Sequence, residues 1–155
     1  MTLKPSLIGI SISGHRFLAW AYDSEGEILD TCRSAGMAPA TSGNNLESIR
    51  ATLDSWRRDF VDACPVLVSG AFAEKHGVPV TSRVKLPFYL ENIGRHLHRE
   101  DGFSFVPEFV QVSPPDLTGG TEASLFGIEQ SSGLVCMPGD LTRHFSLVTG
   151  RVTSV

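Results

Sequence analysis

The sequence predicts a mixed α/β fold, and three patterns predict it. Three short apolar runs separated by tight turns open the chain; one long amphipathic helix follows; apolar runs of buried-strand type then alternate with helix-like stretches. Ser6–Ser11, Phe17–Tyr22 and Ile28–Cys32 are bounded by SGH and DSEGE, which makes them an antiparallel three-stranded meander. Ser34 to Asn45, rich in Gly, Pro, Ala, Ser and Asn, reads as a loop. Asn45 can cap a helix whose apolar positions Leu46, Ile49, Leu53, Trp56 and Phe60 fall on one face. Pro65 stops it, and Val66–Ser69 is a buried-type strand ending at Gly70.

Further on, Tyr89, Ile93 and Leu97 give a partial helical stripe over Phe88 to His98. Phe103–Val106 and Phe109–Val112 are strand-like, Ser113–Gly120 (SPPDLTGG) is a loop, and Thr121–Glu129 is a short helix after two glycines. Leu134–Met137 is another buried-type strand, stopped by Pro138-Gly139. Phe145–Val148, a Thr149-Gly150 turn and Arg151–Val155 make a final hairpin.

The chain has 155 residues, which suits a single domain over 1–155 that buries roughly 70% of its unfolded surface. Hydrophobic residues at 41% and charged residues at 19% are a globular balance, and the net charge of −4 argues against a nucleic-acid partner. No window approaches the ~18 apolar residues of a membrane span, and the N-terminus reads as a first strand and not a leader. Cys32, Cys64 and Cys136 are odd in number and widely spaced, so reduced thiols and a cytoplasmic protein are expected.

A meander, a helix, an apolar strand and then alternating elements fit an α/β ribonuclease-H-like mixed sheet, a single lobe of the kind that builds the actin, hexokinase and Hsp70 superfamily. Within it the chain resembles the 2-dehydro-3-deoxygalactonokinases, sugar-acid kinases. Ile10-Ser11-Ile12-Ser13-Gly14-His15-Arg16-Phe17-Leu18-Ala19-Trp20 is similar to that family's opening I-D-W-G-T-T-N-L-R-A-W. Gly120–Gly127 (GTEASLFG) resembles its R-G-E-E-T-Q-L-x-G, and Leu134–Val152 its L-V-C-L-P-G-T-H-S-K-W-V followed by D-G-R-I. Asp54–Gly70 fits its helix and P-V-x-x-x-G strand.

The resemblance implies phosphoryl transfer from Mg-ATP between two lobes, and the departures from its motifs bear on that activity. The family Asp that handles the metal is Ser11, and the following Gly is Ser13. A serine cannot supply the fixed negative charge that holds Mg²⁺ near phosphate. The first Glu of R-G-E-E is Thr121, and T-H-S-K-W becomes Asp140-Leu141-Thr142-Arg143-His144. Family members run on past the position of Val155 into a second lobe. The expectation is therefore a catalytically degenerate lobe that binds a small sugar acid or a protein partner, with no cofactor assigned. ATP and Mg²⁺ enter only if the kinase activity survives. The rivals are a kinase half completed by a second lobe or a second copy, and a ligand-free dimerisation module.

Candidate residues follow from the same motifs. Ser11, Ser13, Gly14 and His15, with Arg16, form either a former phosphate loop or a plain Gly-containing turn. Thr121 and Glu122 follow a Gly-Gly corner: Glu122 is a base or sugar-hydroxyl ligand, or a first-turn Glu favoured by the helix dipole, and Thr121 is a ligand or a helix cap. Thr142, Arg143 and His144 follow a strand end, where Arg143 can pair with a sugar-acid carboxylate or simply belong to a polar loop. Glu122 and Asp140 are the catalytic candidates, and Asp23 and Asp140 are the carboxylates able to replace the missing Asp. His96 and His98 have no supporting ligand at zinc spacing, so no metal is assigned and a solvated basic helix end is expected there.

Overall fold

The computed structural model describes residues 4–13, 16–34, 45–62, 64–70, 83–118, 122–128, 130–137 and 142–155. In chain order the strands are β1 (Leu7–Ser13), β2 (Arg16–Tyr22), β3 (Ile28–Ser34), β4 (Val66–Gly70), β5 (Arg83–Lys85), β6 (Phe88–Tyr89), β7 (His98–Glu100), β8 (Phe103–Phe105), β9 (Glu108–Val112), β10 (Pro115–Leu117), β11 (Gly133–Met137), β12 (Arg143–Val148) and β13 (Arg151–Ser154). Helix α1 spans Asn45–Val61, and 3-10 turns cover Leu90–Arg95 and Glu122–Gly127. Backbone proximity divides the chain into two compact units: Met1–Val80 with Arg99–Phe105, and Thr81–His98 with Val106–Val155. Among the described residues no helix is long and apolar enough to cross a membrane.

The first unit is built on a mixed sheet of order β3-β2-β1-β4-β8-β7. The meander forms as its turns dictate: β1 pairs antiparallel with β2 from Leu7↔Tyr22 to Ser13↔Arg16, and β2 pairs with β3. Strand β4 then runs parallel to β1, and β8 parallel to β4. Period-two alternation puts Ile8, Ile10 and Ile12 on one face with Phe17, Ala19 and Ala21, all buried. Onto that face α1 lays Leu46, Ile49, Leu53 and Phe60, each fully or nearly fully buried; side chains of this size stabilise by about 1.5–3 kcal/mol apiece. Trp56 is only partly buried, and the helix kinks just after it at Arg57, whose backbone is non-helical (φ −150°, ψ 77°). The Arg57 guanidinium lies 3.4 Å over the Phe60 ring and reaches Asp59 at 2.8 Å and Asp30 at 3.3 Å. Its hydrogen bond holds the Asp59 carboxyl below the usual range.

The second unit carries a three-stranded sheet, β10-β9-β5, and a four-stranded sheet, β11-β12-β13-β6. Its core is Val84, Phe109, Leu125, Phe145, Leu147 and Val152.

Four expectations need correction, and each has a physical reason. Phe88 to His98 is not a helix: β6, a 3-10 turn and part of β7 share it, and the stripe of Tyr89, Ile93 and Leu97 lacks the buried residues a helix would need. The β7–β8 turn at Asp101-Gly102 has positive φ at both residues (48° and 85°), the mirror-image hairpin turn that an Asp-Gly pair encodes. The SPPDLTGG loop contains β10, paired antiparallel with β9. Buried Thr118 fixes it, its Oγ1 accepting from the Phe109 N–H at 2.8 Å, while Gln111 Nε2 donates to the Pro114 carbonyl at 3.0 Å. The 121–129 helix is a 3-10 turn over Glu122–Gly127, anchored by Leu125. Leu134–Met137 is a strand but not a buried one: β11 is a sheet edge, and Leu134 is 69% exposed. The loop expected over 34–45 lies outside the described residues except at its two ends.

Candidate functional site

The parallel strands β1 and β4 end together, with Ser11 beside Ser69 and Ile12 beside Gly70. Ligands of open α/β sheets gather outside such carboxyl ends. Ser11 is half-buried and alternates with Ile10 and Ile12, so it faces away from α1; Leu18 stands opposite it on β2. Ser69 is buried, and its hydroxyl donates to the Ile10 carbonyl at 3.2 Å, which ties the two strand ends together. Gly70 has φ 137°, and a Cβ built there would stand 1.9 Å from the Ile12 carbonyl oxygen. Only glycine lets the two backbones approach this closely.

Ser13 closes β1. Gly14 and His15 lie outside the described residues, as do Thr121 and Asp140, and Arg16 is exposed at the start of β2. Asp23 lies away from this edge. It sits beyond the far end of β2, five residues along the chain from the partner of Ser11, roughly 17 Å away along the strand. Its Oδ1 is engaged in the β2–β3 turn, accepting from the N–H groups of Glu25 (2.8 Å) and Glu27 (2.9 Å).

Magnesium takes oxygen donors in octahedral geometry, usually including one or two carboxylates. The described donors at this edge are the hydroxyls of Ser11 and Ser69, the latter already committed, and they do not fit the ion. Among the described residues no group of three or more His, Cys, Asp or Glu is placed to hold a metal.

The second unit holds the other candidates. Glu122 opens the 3-10 turn. Thr142 is exposed just before β12. Arg143, its side chain 14% exposed, gives Nη1 to Asp116 Oδ2 at 2.6 Å. His144 follows on the same strand, exposed, where alternation sends it to the face opposite Arg143. The two therefore cannot converge on one ligand from regular β12 geometry. His96 is exposed and caps the carboxyl end of the Leu90–Arg95 3-10 turn, its ring edge-on to Phe88 with centroids 5.3 Å apart, while His98 begins β7.

Sequence reasoning missed two features. One is Ser69, whose signal was the Ser-Gly pair closing an apolar strand. The other is a groove of about 190 Å³ at the amino ends of β4 and β8, lined by Arg50, Asp54, Asp62, Asp101 and Phe103 among others. There Arg50 Nη2 donates to the Asp101 carbonyl at 2.7 Å and the guanidinium lies 5.6 Å over Phe103. The Asp-Gly turn was its signal in the sequence.

Fold and site together define a class, an α/β domain on a large mixed sheet with a parallel pair that opens at its carboxyl edge. The family model described as 2-keto-3-deoxy-galactonokinase matches residues 14–155. The chain belongs to that family. The crystal structure of a protein assigned as a 2-dehydro-3-deoxygalactonokinase, from Sinorhizobium meliloti, superposes with a TM-score of 0.78 at 23% identity. The match covers 96% of this chain and 52% of that one, so the chain spans about half its length. No curated protein matches the chain.

Proposed function

We propose that the chain is a ribonuclease-H-like lobe of the family that binds a sugar acid at the carboxyl edge of β1 and β4 and does not transfer phosphate by itself. The strand order β3-β2-β1-β4-β8, antiparallel for the meander and parallel beyond, supports the ribonuclease-H-like arrangement. The observation that carries the reading is Ser11, a hydroxyl at the open edge of the parallel pair, at the position where the motif resemblance expects a metal-handling carboxylate. Hydroxyls and main-chain N–H groups suit a polyhydroxy carboxylate. Under this reading neither ATP nor Mg²⁺ is a cofactor of the chain, and Ser11 with the Ser13-Gly14-His15 stretch is the remnant of a phosphate loop. A second reading is a kinase half completed by a partner lobe or a second copy. It is favoured by the family match over residues 14–155.

The test is thermal melting with 2-keto-3-deoxygalactonate, with and without Mg-ATP. At ~100 times its dissociation constant the sugar acid adds about 2.7 kcal/mol, a rise of roughly 5–10 °C for a chain of this size. The expected result is that rise with the sugar acid and none from Mg-ATP. S11D, which returns the carboxylate, is expected to gain a rise with Mg-ATP. A flat melt with the sugar acid sinks the proposal, and a Mg-ATP rise in the unmodified chain transfers support to the kinase half.

A further inference from the structure

We propose that Cys136 and His144 form a two-ligand site for a divalent transition-metal ion, zinc foremost, on the solvent face of the β11–β12 hairpin. The two residues are direct cross-strand partners in the antiparallel register. Both are exposed, while Val135, Met137 and Phe145, one step along the strands, pack into the core of the unit. Partners in such a register hold their Cβ atoms roughly 4.5–5.5 Å apart on one face. That separation lets a thiolate and an imidazole reach one ion at about 2.3 and 2.0–2.1 Å.

The chemistry suits the same ion. Thiolate and imidazole together select zinc and its neighbours over magnesium or calcium, which prefer oxygen. The strand pairing fixes both backbones, so less conformational freedom is lost on binding than from an open chain. Among the described residues no third His, Cys, Asp or Glu joins the pair, which leaves water to complete the coordination shell. The other two thiols differ in kind. Cys32 and Cys64 are half-buried, burial pushes both thiols up, and the Cys64 Sγ donates to the Phe60 carbonyl at 3.2 Å. This site does not depend on the sugar-acid reading, because the outward position of His144 separates it from Arg143.

Cobalt(II) is the probe, titrated anaerobically into the reduced, chelator-treated full chain. A thiolate-to-cobalt charge-transfer band in the near ultraviolet is expected, and added zinc should abolish it. C136S should remove the band, H144A should weaken binding about tenfold or more, and C32S and C64S should leave it unchanged. Both changed side chains are exposed, so the melting temperatures of C136S and H144A without metal should match that of the parent and show that each variant is folded. No band in the parent, a band that survives in C136S, or equal affinity in H144A overturns the proposal.

Discussion

Gly70→Ala is expected to cost about 3 kcal/mol or more, or to prevent folding altogether. Two independent penalties coincide at this residue. Its φ of 137° lies in a region that L side chains rarely adopt. The new Cβ would also meet the Ile12 carbonyl oxygen at 1.9 Å, with the Ile12 carbonyl carbon at 2.8 Å and nitrogen at 2.9 Å. All three are backbone atoms in the middle of a paired sheet, so no rotamer change relieves the contact. The relief available is separation of β1 from β4, which breaks the pairing that also aligns Ser11 with Ser69. Urea unfolding of the variant should show a lowered midpoint with an unchanged slope, and sugar-acid affinity should fall with it. A loss below about 1 kcal/mol would mean that the strand ends are not held as closely as described.

Phe109→Ala is the second large effect, with an expected loss of about 3–5 kcal/mol. The ring is fully buried at the centre of the second unit, 5.8 Å from the Phe88 ring by centroids. Truncation leaves a cavity between β9 and neighbours that belong to sheet and cannot collapse freely. The Phe109 backbone remains clipped by Thr118, so the loss reports the side chain and not the strand. Phe109→Leu should restore a large share of the stability, whereas a surface substitution such as Val112→Thr should lie within about 0.5 kcal/mol of the parent. Thermal melts of the three variants check the ordering, and equal effects at 109 and 112 would contradict the described core.

The described part of the first 70 residues was legible because local pattern and tertiary outcome agree there. The meander turns carry Gly, Asp and Ser, and the 3-4-3-4 spacing of α1 buries Leu46, Ile49, Leu53 and Phe60 as written. What the pattern does not encode is the kink at Arg57, which arises where its side chain engages Asp30, distant in sequence, together with Asp59. Past residue 83 the strands shrink to two or three residues in β5 to β8, too short for any period to register. Strand β10 depends on the Thr118 clip to Phe109, a hydrogen bond that apolar periodicity does not register. The site was legible only in part: Ser11 could be placed at the end of β1, but its neighbour Ser69 comes from a strand pairing across more than fifty residues. The separation of Arg143 from His144 follows from strand alternation once β12 is seen to begin at Arg143 itself.

The mixture of antiparallel and parallel pairings in the six-stranded sheet also sets an order of events in time. The meander closes through two short turns, which takes microseconds in isolated hairpins. The β1–β4 pairing joins positions 8 and 66, and β4–β8 joins 66 and 103, so each must first pay the entropy of closing a long loop. Long-range parallel pairing of this kind slows folding. The meander is then the expected nucleus, with β4 and β8 docking late. In stopped-flow experiments Phe17→Leu in β2 should mainly slow refolding, whereas Val68→Ala in β4 should mainly speed unfolding. The reverse assignment of the two rates would place the parallel strands in the nucleus instead. Until β4 docks, the edge that brings Ser11 to Ser69 does not exist, so the candidate site is assembled only after the meander.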